Sequence, residues 1–256
     1  MNNHFKIIIP FYNVELWIKA TVNSVKAQNY NNFQCIMIDD MSTDDTLNIL
    51  AAEVGDDPRF KIIENSNKKY VLQNIIMGIE ASKPNSGDII VILDGDDWFS
   101  KKSVLSSLNQ AYKREECWLT YGSYVEYPSG NKGKFAKQVP EHIIKNNSFR
   151  QSEWMTSHLR SWKYGLWEAI NQERSFVEPG PIDSSNHFAN CWDLAYMFPL
   201  LELAGRKSYF ISDVLYVYNR QNPLNVDKLD HQLQLKMEQK IRNMDRYPPL
   251  QNLEKG

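Results

Sequence analysis

The 256-residue chain predicts an α/β fold: a mostly parallel sheet flanked by helices, followed by a second half of mixed structure. Three observations predict it. Short, apolar, β-branched runs alternate with segments of helical period through the first hundred residues. Those runs do not alternate apolar with polar residues, as a sheet with one wet face would, so both faces of the sheet are covered. Beyond residue 118 the alternation lapses into aromatic-rich and polar stretches.

The elements follow in order. Phe5 to Ile9 reads as the first strand, ended by Pro10, with Asn13 as N-cap of a helix through Leu16, Ala20 and Val25. Phe33 to Ile38 is the second strand. Ser42-x-x-Asp45 has the form of a capping box before a helix through Leu47, Leu50 and Ala51. Phe60 to Ile63 is the third strand, Leu72 to Ala81 a helix, and Ile89 to Leu93 the fourth strand. Strands that alternate with helices pair in parallel, and right-handed crossovers bring their carboxyl ends to one rim. Trp118 to Tyr127 reads as a strand, 131–150 as a polar, basic, mobile loop, and 152–170 as an aromatic-dense helix. Glu178-Pro179-Gly180-Pro181 marks a break. A helix from Asp193 to Ala204 stops at Gly205 and is kinked at Pro199. Phe210 to Tyr218 is a late strand, and Asp227 to Met244 an amphipathic helix.

A net charge of -2 gives no reason to expect nucleic acid or an anionic membrane as the main partner. Cys35, Cys117 and Cys191 form neither a C-x-x-C pair nor a disulfide framework, which points to a reducing compartment. No segment approaches the roughly 18 apolar residues of a membrane span, and the N-terminus enters a strand too early for a signal peptide. The expected location is cytoplasmic, with peripheral attachment at a membrane left open.

The chemistry concentrates in Asp94-Gly95-Asp96-Asp97-Trp98, directly after the uncharged run Ile89 to Leu93. Carboxylates this close raise one another's pKa, and a hard divalent cation is the simplest relief. Such a cation, held by one or two carboxylates, completes its shell with substrate phosphates. At the carboxyl end of a strand it lies where α/β folds bind ligands. The alternative is a solvated loop with an Asp capping the next turn. Asp39-Asp40 closes a strand of the same sheet, as does Pro10-Phe11-Tyr12-Asn13, whose aromatics suit stacking on a base. Each also reads as local capping or a turn. Trp154, Trp162, Tyr164 and Trp167 suit either sugar stacking or the core.

Four blocks in order, Ile7 to Asn13, Ser24-Val25 with Gln28, Ile38 to Asp44 and Leu93 to Asp97, resemble the family 2 glycosyltransferases of GT-A (Rossmann-like) fold. The resemblance continues in Asp193 to Glu202 and Val214 to Asn219. It implies an inverting transferase that moves a sugar from a nucleoside diphosphate, UDP being the commonest, to a hydroxyl of a glycan or glycolipid. Pro10, Phe11 and Tyr12 would frame the nucleotide, Asp40 would pair with the base, and Lys69 would lie near the phosphates. Asp94, Gly95 and Asp96 would form the D-x-D element, with Asp96 or Asp97 on Mn²⁺ or Mg²⁺. Asp193 would be the catalytic base, although it also reads as a helix N-cap. Many relatives carry Arg-Asn where this chain has Gln73-Asn74. The implied positive charge then falls to Lys68, Lys69, His158, Arg160 or Arg220, the last three also candidates for acceptor contacts.

The resemblance divides the chain into a nucleotide-sugar-binding part (1–125), an acceptor and catalytic-base part (126–226) and a C-terminal helix and tail (227–256), within one continuous domain. Three rivals are weaker. A haloacid-dehalogenase phosphatase needs Thr or Val where Trp98 stands. A sugar-nucleotide nucleotidyltransferase needs a Gly-rich basic loop, which Phe11-Tyr12-Asn13-Val14 does not supply. A catalytically inactive glycan- or nucleotide-binding relative has no use for acids at 94, 96, 97 and 193.

Overall fold

In the computed structural model, residues 2–170, 191–224 and 231–253 are described. The first half is regular: β1 (Phe5–Phe11), α1 (Ile18–Lys26), β2 (Phe33–Asp39), α2 (Thr46–Val54), β3 (Phe60–Glu64), α3 (Tyr70–Ser82) and β4 (Ile89–Ile92). Then come β5 (Trp98–Phe99), α4 (Val104–Arg114), β6 (Leu119–Tyr127), α5 (Glu141–Lys145), β7 (Arg160–Lys163) and α6 (Tyr164–Glu168). Helix α7 (Trp192–Ala204), strand β8 (Ser208–Asn219) and helix α8 (His231–Asn243) complete the described elements.

The strands form one sheet in the order β3-β2-β1-β4-β7-β6-β8-β5. The first four are mutually parallel, as predicted, and β7 pairs antiparallel with both β4 and β6. Successive residues of each central strand serve opposite cores. Ile7, Ile9, Met37, Ile89 and Val91 pack with Ile18, Val22, Leu50 and Leu108 on one face. Ile8, Ile36, Ile38, Ile90 and Ile92 pack with Ile75, Ile79, Met197 and Leu201 on the other. Complete burial on both faces is what the uninterrupted apolar runs required.

Several local expectations are corrected. β1 runs on through Pro10 to Phe11, because Pro10 lies beyond Ile8, the last residue paired with β4. Asn13 does not cap α1. It sits at positive φ, and its side chain accepts a hydrogen bond from Thr43 N at 2.8 Å, tying two rim loops together. The Ser42/Asp45 box does not form. Ser42 Oγ accepts from Asn13 N at 2.9 Å, and Asp44 Oδ1 takes Thr46 N at 3.1 Å. Residues 152–170 are not one helix. His158, Arg160 and Trp162 follow a two-residue period, and β7 inserts between β4 and β6, an aromatic-rich strand stabilised by its neighbours. The 131–150 stretch is not simply a loop: it contains α5, and Val139, Ile143, Phe149 and Arg150 are buried. α7 starts at Trp192, so Asp193 lies in its first turn and is not the N-cap, while the helix runs through Pro199 to Ala204 as expected.

The division at 125/126 falls inside β6. The break at 178–181 and the division at 226/227 lie outside the described residues. α8 is anchored by Met237 and Ile241, both buried. Among the described residues, no helix is long and apolar enough to cross a membrane. All three cysteines are buried and free.

Candidate active site

The carboxyl ends of β1, β2 and β4 meet at one rim. Gly95 N donates to Pro10 O at 3.2 Å, and Asp40 N donates to Phe11 O at 2.9 Å. The rim lies where β1 has β2 on one side and β4 on the other, the position at which open α/β sheets take ligands. Gly95 is required by this approach: a Cβ on it would stand 2.3 Å from Phe11 Cβ and 3.1 Å from Pro10 O.

The acids of the cluster divide by environment. Asp97 is fully buried. Its Oδ2 accepts the Tyr216 hydroxyl at 2.6 Å and its Oδ1 accepts Asn219 N at 2.7 Å. Thr21 Oγ1 donates to Gly95 O and Asp97 O at 2.9 and 2.7 Å, fixing the backbone between them. Asp94 and Asp96 are half-buried at the rim. Asp94 Oδ2 lies 3.3 Å from Tyr216 Oη, and Asp96 Oδ2 accepts Asn222 Nδ2 at 2.7 Å. Loss of solvation, then the charge of Asp96, push the Asp94 carboxyl up to about 7 against the pull of Arg160 and Tyr216. Asp97 is raised well above the carboxylate range by burial and by both neighbouring acids.

Hard carboxylate oxygens on Asp94 and Asp96 fit Mg²⁺ or Mn²⁺ of the kind held by one or two protein ligands together with phosphate. Asp97 is turned inward, away from that role. Among the described residues, no three His, Cys, Asp or Glu side chains form a metal-holding group.

At the β2 end of the rim, Asp40 is buried and already engaged. Its carboxylate accepts Lys69 N at 2.7 Å, Tyr70 N at 3.0 Å and Asn65 Nδ2 at 3.2 Å. In this structure it shapes the loop before α3, a use different from the base pairing the resemblance implied. Asp39 does similar work on Ser42 N, at 3.1 Å. Phe11 belongs to the core, because β1 continues and turns its ring inward. Tyr12 stays at the rim, with Lys68 Nζ 3.0 Å from its ring centre. Lys69 is half-buried at the start of α3. Asn74, beside Gln73, is buried and accepts Asn65 Nδ2 at 2.7 Å.

Arg160 and Asp193 come together from distant parts of the chain. Arg160 Nη2 donates to Asp193 Oδ2 at 2.9 Å and Nη1 to the Tyr196 hydroxyl at 3.3 Å. Arg160 is paired in register with Ile92, beside the start of the acidic cluster. Its side chain is 3% exposed and that of Asp193 is 22% exposed, so only the carboxylate reaches solvent. His158 is not a helix-surface residue. It stacks on Tyr216 at 4.4 Å and on Tyr218 at 5.6 Å. Burial, then the charge of Arg160, hold its pKa well below 6.5, so it offers no positive charge to a phosphate. Arg220 is exposed, with its guanidinium 5.6 Å from the Tyr218 ring. Trp162 and Trp167 stack on each other in the core, their centres 5.7 Å apart.

Sequence reasoning passed over Tyr216, Asn219, Asn222, Thr21 and Tyr196. Tyr216 and Asn219 lie in a stretch that carried the resemblance, but no local signal says which acid they meet.

The carboxyl rim of a buried parallel sheet thus carries Asp94 and Asp96, with Asp193 of α7 near enough for its charge to bear on Asp94. The family model for glycosyl transferase family 2 matches residues 6–173, and the chain belongs to that family: it is a glycosyltransferase. It is 27% identical over 225 residues to Glycosyltransferase GlyG of Streptococcus pneumoniae, covering 87% of this chain and 72% of that protein. It is 30% identical to an uncharacterized glycosyltransferase of Haemophilus influenzae, covering 83% and 94%. Among solved structures, S. aureus TarS 1-349 in complex with UDP-GlcNAc matches with a TM-score of 0.66 at 16% identity, over 95% of this chain and 68% of that one. Mannosyltransferase PcManGT from Pyrobaculum calidifontis, in complex with GDP-Man and Mn2+, matches with a TM-score of 0.56 at 15% identity, over 88% and 59%. At these identities the structural likeness bears on the fold, which is that of the GT-A glycosyltransferases.

Proposed function

We propose that the chain transfers a sugar, with inversion, from a nucleoside diphosphate sugar, UDP first among the nucleotides, to a hydroxyl of a glycan or glycolipid. The observation that carries this reading is the pairing of Asp193 with Arg160 across the rim from Asp94 and Asp96. Asp193 joins a cationic orienting partner to a carboxylate that reaches solvent, as a general base requires. It takes the acceptor hydroxyl proton while that oxygen attacks the anomeric carbon from the face opposite the diphosphate. Tyr12 and Pro10 line the nucleotide end of the rim, and Lys68 supplies positive charge beside them. A Mg²⁺ or Mn²⁺ ion held by Asp96, with Asp94 beside it, supplies Lewis-acid charge for the leaving diphosphate when bound. The TarS and PcManGT complexes support a nucleotide-sugar donor, and the second supports a metal.

The test is nucleotide release from a panel of UDP-GlcNAc, UDP-glucose, UDP-galactose and GDP-mannose with and without Mn²⁺, with donor binding followed by thermal shift. One donor should stabilise the protein and be turned over only with metal. Asp193→Asn should bind that donor normally and lose about 10²- to 10⁴-fold in rate, the usual contribution of a positioned base. Wild-type turnover by that variant removes Asp193 from the role.

A further inference from the structure

Arg160 reaches from the sheet to α7. Its backbone is fixed in β7, between β4 and β6, and its guanidinium meets three residues of the first turns of α7. It bonds Asp193 and the Tyr196 hydroxyl, and its Cζ lies 5.7 Å from the Trp192 ring centre. Among the described residues Asp193 has no comparable restraint of its own: its other oxygen accepts the adjacent Leu194 N, at 3.0 Å. A guanidinium fork is planar and rigid, so one held in a strand fixes the direction of the carboxylate it meets.

The ion pair is poorly arranged to serve stability. The Arg160 side chain is almost wholly buried while its partner is partly wet, and the buried Nε has no hydrogen-bond partner among the described residues. A buried charge stabilises a fold only when its remaining donors are satisfied. The same charge also bears on Asp94 at the rim. We propose that Arg160 is the positioning residue for Asp193: it aims the base at the acceptor site and acts on transfer through that carboxylate. This inference rests on the reading of Asp193 as base.

The experiment is a double-mutant cycle of Arg160→Gln and Asp193→Asn, with Arg160→Lys as companion. It reads nucleotide release, donor affinity by calorimetry and melting temperature, using whichever sugar nucleotide of the panel gives the fastest turnover. Arg160→Gln should keep donor affinity within a few-fold and lower the rate at saturating donor by about 100-fold, the effect of a misaimed reacting group. Arg160→Lys should recover part of that loss. In the Asp193→Asn background, Arg160→Gln should cost nothing further, since groups acting as a unit are not additive. If Asp193→Asn is inactive while Arg160→Gln turns over normally, the positioning role fails and the base assignment stands. Equal losses from Arg160→Gln in both backgrounds, or a loss confined to donor affinity, also overturn it. If Asp193→Asn keeps wild-type turnover, the base reading fails first. Should Arg160→Gln not fold, Arg160→Lys carries the same comparison.

Discussion

The Tyr216 hydroxyl lies 2.6 Å from Asp97 Oδ2 and 3.3 Å from Asp94 Oδ2, so one side chain of β8 serves two acids at the end of β4. The ring is held by His158 stacked on it. Tyr216→Phe keeps that stack and removes only the hydroxyl. It should lower stability by about 1–3 kcal/mol, the cost of a buried polar partner left without its bond. Urea unfolding would show a lower midpoint with an unchanged slope; an unchanged midpoint would mean that water replaces the hydroxyl.

Asp96 and Asp97 adjoin in sequence yet should fail in opposite ways. Asp97→Ala strands a buried hydroxyl and a buried backbone N–H, and should cost roughly 2–4 kcal/mol on the same grounds. Asp96 is half-buried and holds Asn222. Asp96→Ala takes one partner from the buried Asn222 amide and should cost about 1 kcal/mol, less than Asp97→Ala, but abolish the enhancement of donor binding by Mn²⁺. Calorimetry with the donor, with and without Mn²⁺, beside a denaturation curve for each variant, separates the two. If Asp97→Ala were stable and Asp96→Ala were not, the assignment of inner and outer acid would be reversed.

The sheet was legible because its strands carry their burial in their own residues: Ile7 to Ile9 and Ile89 to Leu93 need no distant partner to read as two-sided core. The shared rim followed from chain topology. What was not legible depends on pairings decided elsewhere. Residues 152–170 have strong apolar content but become β7 only because the edges of β4 and β6 are open to them. Caps failed similarly, since Asn13 and Ser42 bond each other's loops in preference to their own helices. In the site, residue type gave the acids. The division of labour between Asp96 and Asp97 turns on Tyr216 and Asn219, which reach Asp97 from β8, and on Asn222 beyond it, which meets Asp96.

A second ionic pair has no place at the rim. Arg150 Nε and Nη2 donate to the two Glu202 oxygens at 2.6 and 3.0 Å, with both side chains buried. Arg150 Nη1 also caps Ile241 O in α8 at 2.6 Å, and Glu202 Oε2 accepts Tyr247 N at 3.0 Å. The pair therefore fastens the C-terminal helix and tail to α7. Arg150→Met alone leaves a buried carboxylate and should cost about 3–5 kcal/mol, whereas Arg150→Met with Glu202→Leu should recover a large part of that. Thermal and urea unfolding of the three proteins checks it. A single variant as stable as its parent would show that water reaches Glu202.

His158 gives the fold a pH dependence whose sign is fixed. Burial, then Arg160, depress its folded pKa well below the 6.5 of an unfolded histidine. Between those two values the unfolded chain binds more protons than the folded one, so stability rises with pH. The contribution of His158 is thus fully present above about pH 6.5 and is lost as the pH falls toward the folded value, by at most ~1.4 kcal/mol per pH unit. Asp94 and Asp97 work against it over part of this range. Their folded pKa values are raised, so protonation favours the folded state as the pH falls. The comparison that isolates the histidine is His158→Phe, which keeps a ring between Tyr216 and Tyr218. Unfolding free energies measured from pH 7 to pH 5 should fall less in the variant than in the parent, by up to about 2 kcal/mol at the acid end. Two parallel curves would mean that His158 titrates normally in the folded protein, and that the stack on Tyr216 is open to water.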